Sequence, residues 1–361
     1  MEAIAMVDLK QQYLQLKTEI DAVVQQSLLE GDYVQGKQVK LFEKELANYT
    51  GIRNVISCGN GTDALQLALM ALNLPKGSKI IVPTFTYIAP VEVATFLGYK
   101  VVFADVDITD FNTTLEHIQA VYTPEVKAII IVHLFGLPCK DTELIYQFCQ
   151  EKNIALIEDN AQSLGAEKNI DRESILTTSF YPTKNLGAYG DGGAVFCRDE
   201  NLAINIRKMA THGQSAKYMH DIVGINSRLD TLQAGILSVK LKYLDRQNEQ
   251  RRKNAHYYQE RLQHIEALEL PTIHPNHIFH LYTIKIENKK RDMLIDFLKQ
   301  KEITSIVNYP IPIYQQKAYQ QDISLKNTER LCSEVLSIPI YAALTTAQLS
   351  YICDAIEEFF K

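Results

Sequence analysis

The sequence lacks the features that mark several classes of protein. Its six cysteines form no C-x-x-C pair, which predicts reduced, buried thiols rather than a disulfide framework. No apolar run approaches the roughly 18 residues that a membrane span needs, and no basic stretch followed by an apolar core marks a signal peptide. The formal net charge of −6 argues against nucleic acid or a membrane as a partner. We therefore expect a cytoplasmic protein that holds any anionic ligand in a local positive site.

The composition is that of an ordinary globular protein, with 46% hydrophobic and 22% charged residues. Over the first half, short apolar runs alternate with helix-length spacers, and these runs lie at 55–58, 79–83, 100–107, 127–134 and 154–159. Because the runs are apolar on both faces, they predict an α/β fold with a mostly parallel sheet that is covered on both sides by helices.

Helical spacing of apolar residues marks the two ends of the chain. It predicts a helix from Leu9 to Leu28 that stops at Gly31, and a second helix that ends near Gly51. After residue 229, one long helical pattern runs to 265, followed by an apolar run at 280–288, a helix at 290–301, the segment 304–310 and two closing helices. We predict a large domain over 1–245, including the N-terminal helix, and a smaller C-terminal α/β domain over 246–361.

Chemically useful residues follow several of the predicted strands. In an open α/β sheet, ligands bind where the carboxyl ends of the strands gather. The run 55–58 is followed by GNGT (59–62), whose glycines admit a ligand and whose helix start offers free N–H groups to a phosphate. The run 79–83 is followed by TFTY (84–87), which places aromatic rings at the same edge. The run 154–159 ends in Asp159, which should face a cation or a strong donor, because an unpaired buried carboxylate is costly.

Lys184 stands in a segment, SFYPTKNLGAYGDGGAVF (179–196), whose only other charge is Asp191. In a glycine-rich, partly dry site, the pKa of a lysine falls and its amine becomes nucleophilic. A phosphate cradle, an aromatic ring, a carboxylate and such a lysine together suit pyridoxal phosphate. Its ring nitrogen would pair with Asp159 and its aldehyde would condense with Lys184.

Each of these residues also has a purely structural interpretation. Lys184 could be a solvated surface lysine, and Asp159 could cap a helix. Tyr87 could be ordinary core, which would leave Phe85 to stack on the cofactor. Residues 226–228 could form the N-terminal cap of the long helix.

Two other patterns suggest different ligands, and we set both aside. Residues 31–38 (GDYVQGKQ) nearly match a phosphate-binding P-loop, but Gln38 replaces the Ser or Thr that would hold magnesium, and the segment follows a helix. His274, His277 and His280 are spaced three apart, but on a turn that leads into a strand they would not converge, and no cysteine or carboxylate completes the set. We predict a solvated loop there and no metal.

Eight segments occur in an order and spacing that are specific to one family, namely NGTDALQLAL, PTFTYIAPVEV, VFADVD, IEDNAQSLGA, SFYPTKNLGAYGDGGAVF, HGQ, GINSRLDTLQAGIL and NYPIPI. Through them the chain resembles, from Met6 to its last helix, the DegT/StrS-type family of pyridoxal-phosphate-dependent sugar-nucleotide aminotransferases. The resemblance implies fold type I of the aspartate aminotransferase superfamily, with a large domain around a mostly parallel mixed sheet and a smaller C-terminal domain.

The resemblance also implies roles for individual residues. Lys184 would bond the cofactor covalently and then act as the base, and Asp159 would pair with the pyridine nitrogen. The other implied cofactor contacts are Gln162 at the ring hydroxyl, Tyr87 over the ring, Gly61, Thr62 and Ser179 at the phosphate, and Asn226 at the phosphate of the neighbouring subunit. The active unit would then be a homodimer with shared active sites.

The implied reaction moves an amino group from L-glutamate, which leaves as 2-oxoglutarate, to a nucleotide-linked keto-sugar. Within the family, the sequence most resembles enzymes that aminate the 3-keto position of UDP-linked 2-acetamido sugars for bacterial surface polysaccharides. A 4-keto-sugar nucleotide aminotransferase and a catalytically silent regulator that binds the cofactor stay open as alternatives.

The candidate substrate contacts are Arg228, Asn308, Tyr309 and Tyr314. The guanidinium of Arg228 matches a carboxylate, either that of glutamate or that of a uronate, although a salt bridge with Asp230 is the structural alternative. Asn308 and Tyr314 replace two histidines of the usual family pattern HYPIPLHxQ, which could alter the choice of sugar without disturbing the cofactor.

Overall fold

The computed structural model describes residues 3–287 and 290–361. The helices are α1 (Leu9–Glu30), α2 (Lys37–Thr50), α3 (Gly61–Ala71), α4 (Ala89–Phe96), α5 (Leu115–Val121), α6 (Thr142–Lys152), α7 (Glu200–Met209), α8 (Thr231–Leu241), α9 (Leu244–Leu262), α10 (Arg291–Gln300), α11 (Lys326–Glu334) and α12 (Thr346–Phe360). The strands are β1 (Asn54–Cys58), β2 (Lys79–Pro83), β3 (Lys100–Ala104), β4 (Val126–Val132), β5 (Ala155–Asp159), β6 (Ile175–Ser179), β7 (Gly193–Cys197), β8 (Gln214–Ala216), β9 (Met219–His220), β10 (Leu268–Glu269), β11 (Tyr282–Ile286) and β12 (Val335–Ile338).

A seven-stranded sheet with the order β1-β7-β6-β5-β4-β2-β3 forms the centre of the larger part of the chain. Strand β7 runs antiparallel to both of its neighbours, whereas the other pairs are parallel. The inner strands are buried on both faces, as in β4, where every residue from 128 to 132 is buried. Such strands need helices on both sides, and the predicted α/β fold with a mostly parallel mixed sheet is confirmed.

A second, three-stranded sheet with the order β10-β11-β12 lies in the C-terminal part. Its core also contains Ile4, whose backbone N–H donates to the carbonyl of Glu302 at 2.8 Å. The N-terminal residues therefore pack against the C-terminal part before the chain enters α1. The predicted division at residue 245 stays a prediction.

Glycine residues end the first two helices of the chain. Gly31 and Gly51 cap α1 and α2 with φ values of +66° and +75°, a left-handed conformation in which a side chain would be strained. Both predicted helix ends are confirmed.

The single helix predicted over 229–265 is wrong, because the chain breaks between α8 and α9. The Tyr243 N–H donates to the carbonyl of Lys240, three residues earlier, at 3.0 Å, which tightens the turn. Leu241 and Leu244 on either side of the break then both enter one core.

The short strand β12, which lies between the two closing helices, was not predicted. The predicted run 280–288 forms β11, and its last residue, 288, lies outside the described residues.

Within the ranges 3–287 and 290–361, no helix is long and apolar enough to cross a membrane.

Candidate active site

A cavity of about 720 Å³ opens at the carboxyl ends of the parallel strands. It is lined by the residues that follow β2, by the ends of β4, β5 and β6, by the start of α3 and by segments of the C-terminal part. The predicted site residues that line it are Gly61, Thr62, Tyr87, Asp159, Gln162, Ser179, Lys184, Asn308 and Tyr309. The structure thus brings together residues that are as far as 248 positions apart in the chain.

The start of α3 has the geometry of an anion-binding site. The Asn60 side chain accepts from the Asp63 N–H at 2.8 Å, whereas the N–H groups of Gly61 and Thr62 donate to no described residue. A side chain at position 61 could not fit, because a Cβ there would lie 2.6 Å from the Cβ of Ser179. Free N–H groups at a helix start, beside a serine hydroxyl, suit a phosphate.

Asp159 ends β5 and is buried with one hydrogen bond. Its Oδ1 accepts from the Ala161 N–H at 2.9 Å, and no described cation lies within ion-pair distance of the carboxylate. Burial raises the pKa of Asp159, and the Ala161 hydrogen bond and the charge of Lys184 offset this only in part. A protonated ring nitrogen would supply the partner that this carboxylate lacks.

Glu158, the preceding residue, is fully buried and fully paired. Arg172 donates to it at 3.1 and 2.9 Å, the His133 ring donates at 3.1 Å, and Ser174 adds a short hydrogen bond. Nδ1 of His133 accepts from the Cys139 N–H at 2.9 Å, so its Nε2 must carry the hydrogen that Glu158 accepts. Burial alone would raise the pKa of Glu158, but the hydrogen bonds from His133 and Arg172 outweigh burial and lower it to about 2.

Lys184 lies in the loop between β6 and β7 and is half-buried. Burial lowers the pKa of Lys184 to about 8, and the charge of Asp159 opposes that shift. Among the described residues, no carboxylate lies within ion-pair distance of its Nζ. The loop is tightly folded, because a Cβ on Gly187 would lie 2.3 Å from the carbonyl oxygen of Pro182. An amine with such a pKa is partly neutral near pH 8 and is therefore nucleophilic.

Two aromatic residues compete for the role of covering a cofactor ring. Tyr87 is 58% exposed and lines the cavity mouth, with its ring centroid 6.5 Å from that of Tyr309. Phe85 is buried in a cluster with Phe111 and Phe135. Tyr87 is therefore available to a ligand, and Phe85 is not.

The orientation of Gln162 is fixed by its two partners. Its Oε1 accepts from the Phe135 N–H at 2.7 Å, and its Nε2 donates to the Tyr309 hydroxyl at 3.3 Å. The Gln162 side chain thus presents its N–H₂ group on the cavity side, next to Tyr309. Burial raises the pKa of Tyr309, so this phenol stays protonated.

Residues 226–228 lie outside this cavity. Asn226 is exposed, and Arg228 forms no ion pair with Asp230 or with any other acid in the part of the chain that the structure describes. Ser227, between them, donates to Asp63 at 2.6 Å and accepts from the Gly59 N–H at 2.9 Å, which ties the segment to the start of α3. The N-terminal cap of α8 is Asp230, so the capping alternative for residues 226–228 is wrong.

Tyr314 is also not brought to the cavity. Its ring is buried against Phe103, at 6.2 Å between centroids, and its hydroxyl donates to Glu329 at 2.6 Å. The short 3₁₀ helix Ile313–Gln315 turns this side chain into the core beside α3 and α4. The structure therefore does not support the predicted contact between Tyr314 and a substrate.

The prediction that the three histidines lie in a solvated loop is wrong for two of them. His277 and His280 are 3% and 7% exposed, because the turn before β11 packs under the loop that carries Phe135 and Gly136. His277 faces the carbonyl oxygens of Thr272 and Phe135. His280 lines the cavity, which sequence reasoning missed. The described residues contain no cluster of three or more metal ligands.

Comparisons with known proteins agree with this geometry. A model of the DegT/DnrJ/EryC1/StrS aminotransferase family matches residues 14–357. The chain is 39% identical to UDP-2-acetamido-2-deoxy-3-oxo-D-glucuronate aminotransferase from Pseudomonas aeruginosa, over 98% of this chain and 99% of that protein. It is also 39% identical to UDP-N-acetyl-3-dehydro-alpha-D-glucosamine 3-aminotransferase from Acidithiobacillus ferrooxidans, over 98% and 97%. It is 38% identical to the pleiotropic regulatory protein of Geobacillus stearothermophilus, over 99% of both chains.

Solved structures show the same fold. DesV from S. venezuelae, in complex with a ketimine intermediate, has a TM-score of 0.96 and 32% identity, covering 100% of this chain and 99% of DesV. NtdA from Bacillus subtilis, with bound cofactor PMP, has a TM-score of 0.94 and 28% identity, covering 100% of this chain and 86% of NtdA.

Proposed function

The chain belongs to the DegT/DnrJ/EryC1/StrS aminotransferase family, and from that premise we propose that it transfers an amino group from L-glutamate to the C3 keto group of a UDP-linked 2-acetamido sugar. Pyridoxal phosphate is the cofactor. The observation that carries the proposal is a single cavity in which Lys184, Asp159 and the free start of α3 lie together. The product would feed a bacterial surface polysaccharide.

The residues present fit this cofactor. The buried carboxylate of Asp159 would hold the proton of the ring nitrogen, and that pairing would offset the cost of its burial. The start of α3, at Gly61 and Thr62, would take the phosphate together with Ser179. Gln162 would donate to the ring hydroxyl, and Tyr87 would cover the ring.

Lys184 would supply both the covalent attachment and the proton transfers. When bound, the cofactor supplies an electron-withdrawing ring that stabilises negative charge on the carbon that loses a proton. With a pKa of about 8, the Lys184 amine can accept a proton at Nζ and return it at the pH of a cell. Val132 and Leu281 give this part of the cavity an apolar wall.

We propose that the active form is a homodimer. Large apolar side chains are exposed around the cavity mouth and on the neighbouring β8–β9 hairpin, namely Tyr87, Tyr181, Tyr218, Met219 and Val223. Asn226, which follows this hairpin, is exposed and would reach the phosphate in the second subunit, while Arg228 would meet a substrate carboxylate. The protein would act in the cytoplasm.

The choice of sugar follows from two relatives that are named for 3-keto sugars and are each 39% identical to this chain. Asn308 and Tyr309 line the cavity and would contact the sugar. The test supplies UDP-linked 3-keto and 4-keto sugars with glutamate and locates the new amine. The proposal predicts an amine at C3, whereas an amine at C4 would contradict it.

A silent regulator is the second candidate, because a relative that is 38% identical is named a pleiotropic regulatory protein. Glutamate separates the two candidates. An aminotransferase loaded with pyridoxal phosphate has a visible absorption band that glutamate bleaches, whereas a silent regulator would keep the band unchanged.

A further inference from the structure

A buried chain of polar side chains joins the lysine loop to the C-terminal part. His280 Nδ1 lies 3.0 Å from Oδ1 of Asn185, the residue that follows Lys184. The Asn185 amide nitrogen donates to Oδ1 of Asn248, on α9, at 2.8 Å, and to the carbonyl of Ile278 at 3.4 Å. All three side chains are buried, so their orientations are set by these hydrogen bonds with one another and with the Ile278 carbonyl.

This chain fixes the tautomer of His280. The carbonyl of Ile278 can only accept, so the group of Asn185 that faces it must be the N–H₂ group, and the oxygen of Asn185 must face His280. Nδ1 of His280 therefore carries a hydrogen. Burial, together with the charges of Lys184 and Arg251, lowers the pKa of His280 well below its usual value, so the ring is neutral and its Nε2 is an unprotonated acceptor.

The free acceptor belongs to a ring that lines the same cavity as Lys184, and the charge of Lys184 acts on this ring. Nε2 of His280 makes no hydrogen bond with any described residue, since the ring bonds only through Nδ1. The charged or titratable groups around the ring are Lys184, Asp159, Asp191 and Tyr309 in the cavity, Arg251 on α9 and His277 on the same turn. Arg251 donates to the carbonyls of Phe279 and Ile340, and His277 faces backbone carbonyls, so neither is a partner for Nε2.

The same cavity contains a cation that lacks an acceptor. An ammonium group on Lys184 is penalised by burial, and no described carboxylate lies within ion-pair distance of it. In the loaded protein, Asp159 would be occupied by the ring nitrogen of the cofactor. His280 lines the same cavity as Lys184, and its Nε2 is a hydrogen-bond acceptor that no described residue uses.

We propose that His280 is a positioning residue for Lys184, and that its unprotonated Nε2 accepts a hydrogen bond from the ammonium group that forms when Lys184 takes up a proton. This inference rests on the function proposed above. The Asn185–Asn248 chain holds the imidazole in the required tautomer, and Asn185 couples that ring to the backbone of Lys184 itself. His280 thereby stabilises the protonated lysine midway through the proton transfer without exchanging a proton.

The test measures the titration of Lys184 in cofactor-free protein. Acetic anhydride acylates only the neutral amine, so the pH dependence of acylation, read by mass spectrometry on the peptide that contains Lys184, gives its midpoint. His280→Asn keeps a donor to Asn185 and removes the acceptor, so its midpoint should fall by about one pH unit, the effect of losing a hydrogen bond to a charged group. His280→Gln places an amide oxygen at about the reach of Nε2 and should move the midpoint back towards that of the wild type.

His277→Asn is the matched control, because it changes a buried histidine on the same turn that does not line the cavity. It should leave the Lys184 midpoint in place. In the loaded enzyme, His280→Asn should lower kcat about tenfold with little change in the KM of the sugar. An unchanged midpoint in His280→Asn would overturn the proposal, as would a loss confined to the KM of the sugar, which would make His280 a substrate contact.

A measurement on the wild-type protein decides the matter if the variants do not fold. With ¹⁵N-labelled histidine, the His280 ring should show an unprotonated Nε2 whose resonance moves as Lys184 titrates, and this movement should vanish in Lys184→Ala. An Nε2 that is protonated or insensitive to Lys184 would overturn the proposal. If the proposed function itself fails, the wild-type protein will not transfer an amino group from glutamate to the C3 keto group of the sugar, whereas the titration of Lys184 can still be read.

Discussion

The two faces of β5 at its carboxyl end carry adjacent carboxylates in opposite states. On the closed face, Glu158 is matched by Arg172, His133 and Ser174, and its pKa lies at about 2. On the cavity face, Asp159 has one backbone hydrogen bond, and burial raises its pKa. Both carboxylates are desolvated, but only the second is left without a cation. Burial alone therefore does not identify a functional carboxylate, whereas the absence of a pairing cation does.

The largest expected effect is on the cavity face. Lys184→Ala should lower amino transfer by about 10⁴-fold or more, because it removes the covalent attachment and the base together. Steady-state kinetics with glutamate and the keto-sugar measures the effect, and the thermal unfolding temperature, Tm, checks that the protein is folded. A folded Lys184→Ala variant that keeps more than about a tenth of wild-type activity would contradict the role of Lys184 as covalent attachment and base.

Asp159→Asn should lower transfer by about 10²- to 10³-fold, because the amide has the same shape but cannot hold a proton on the ring nitrogen. Its matched control is Glu158→Gln, which makes the same chemical change one residue earlier. The comparison predicts that Asp159→Asn changes the absorption spectrum of the loaded protein, whereas Glu158→Gln does not. Equal spectral changes in both variants would mean that the two faces do not differ as proposed.

Glu158→Gln should instead reduce stability. Removing one member of a buried ion pair leaves Arg172 without its main partner, which typically costs about 3 to 5 kcal/mol in the free energy of unfolding. Chemical denaturation of cofactor-free protein measures this loss. Asp159→Asn should be at least as stable as the wild type in the same assay, since it removes an unpaired buried charge.

The two carboxylates also predict opposite responses of stability to pH. Glu158 has a folded pKa of about 2, below its ordinary value of 4.5, so its stabilisation is complete above about pH 4.5 and is lost as the pH falls towards 2. Asp159 has a folded pKa above its ordinary value of 3.8, so it destabilises cofactor-free protein at neutral pH, and this effect disappears as the pH falls below 3.8.

Denaturation at pH 7 and pH 4 tests these signs. The stability deficit of Glu158→Gln should shrink by about 1 kcal/mol between these values, and the advantage of Asp159→Asn should shrink as well. A deficit of Glu158→Gln that grows on acidification would contradict the pairing of Glu158.

The smallest expected effect concerns Tyr314, which lies in the core and not in the cavity. Tyr314→Phe removes only the hydroxyl that donates to Glu329, so it should lower Tm by less than about 3 °C and leave the KM of the sugar unchanged. A several-fold rise in that KM would restore the substrate contact that the sequence predicted.

Local patterns in the sequence were enough to find most of the cavity. Apolar runs that end in polar residues located the strand ends, and the carboxyl ends of parallel strands meet at one edge. Asp159 and Gly61 were therefore predicted together, although 98 positions separate them, whereas the role of Ser179 came from the family resemblance. The glycines around Lys184 marked a loop with close backbone contacts.

Residues whose roles depend on distant partners were missed. The sequence near Glu158 does not show that Arg172 donates to it. The sequence near His280 does not show that Asn185 contacts its ring or that Asn248 holds Asn185. Tyr314 was placed with its neighbours Asn308 and Tyr309, but a short 3₁₀ helix turns it into the core. The acidic pair at 158–159 could have been a signal, since adjacent strand residues point to opposite faces.

The central claim is tested most directly by trapping the bond between Lys184 and the cofactor. Protein loaded with pyridoxal phosphate is reduced with borohydride, digested and mapped by mass spectrometry. The account predicts the added mass on the peptide that contains Lys184. It predicts none on the peptide that contains Lys240, a buried lysine whose pKa is also lowered, to about 7, but whose Nζ is bonded to the Gly187 carbonyl outside the cavity. A colourless protein, or an adduct anywhere other than Lys184, would contradict the account.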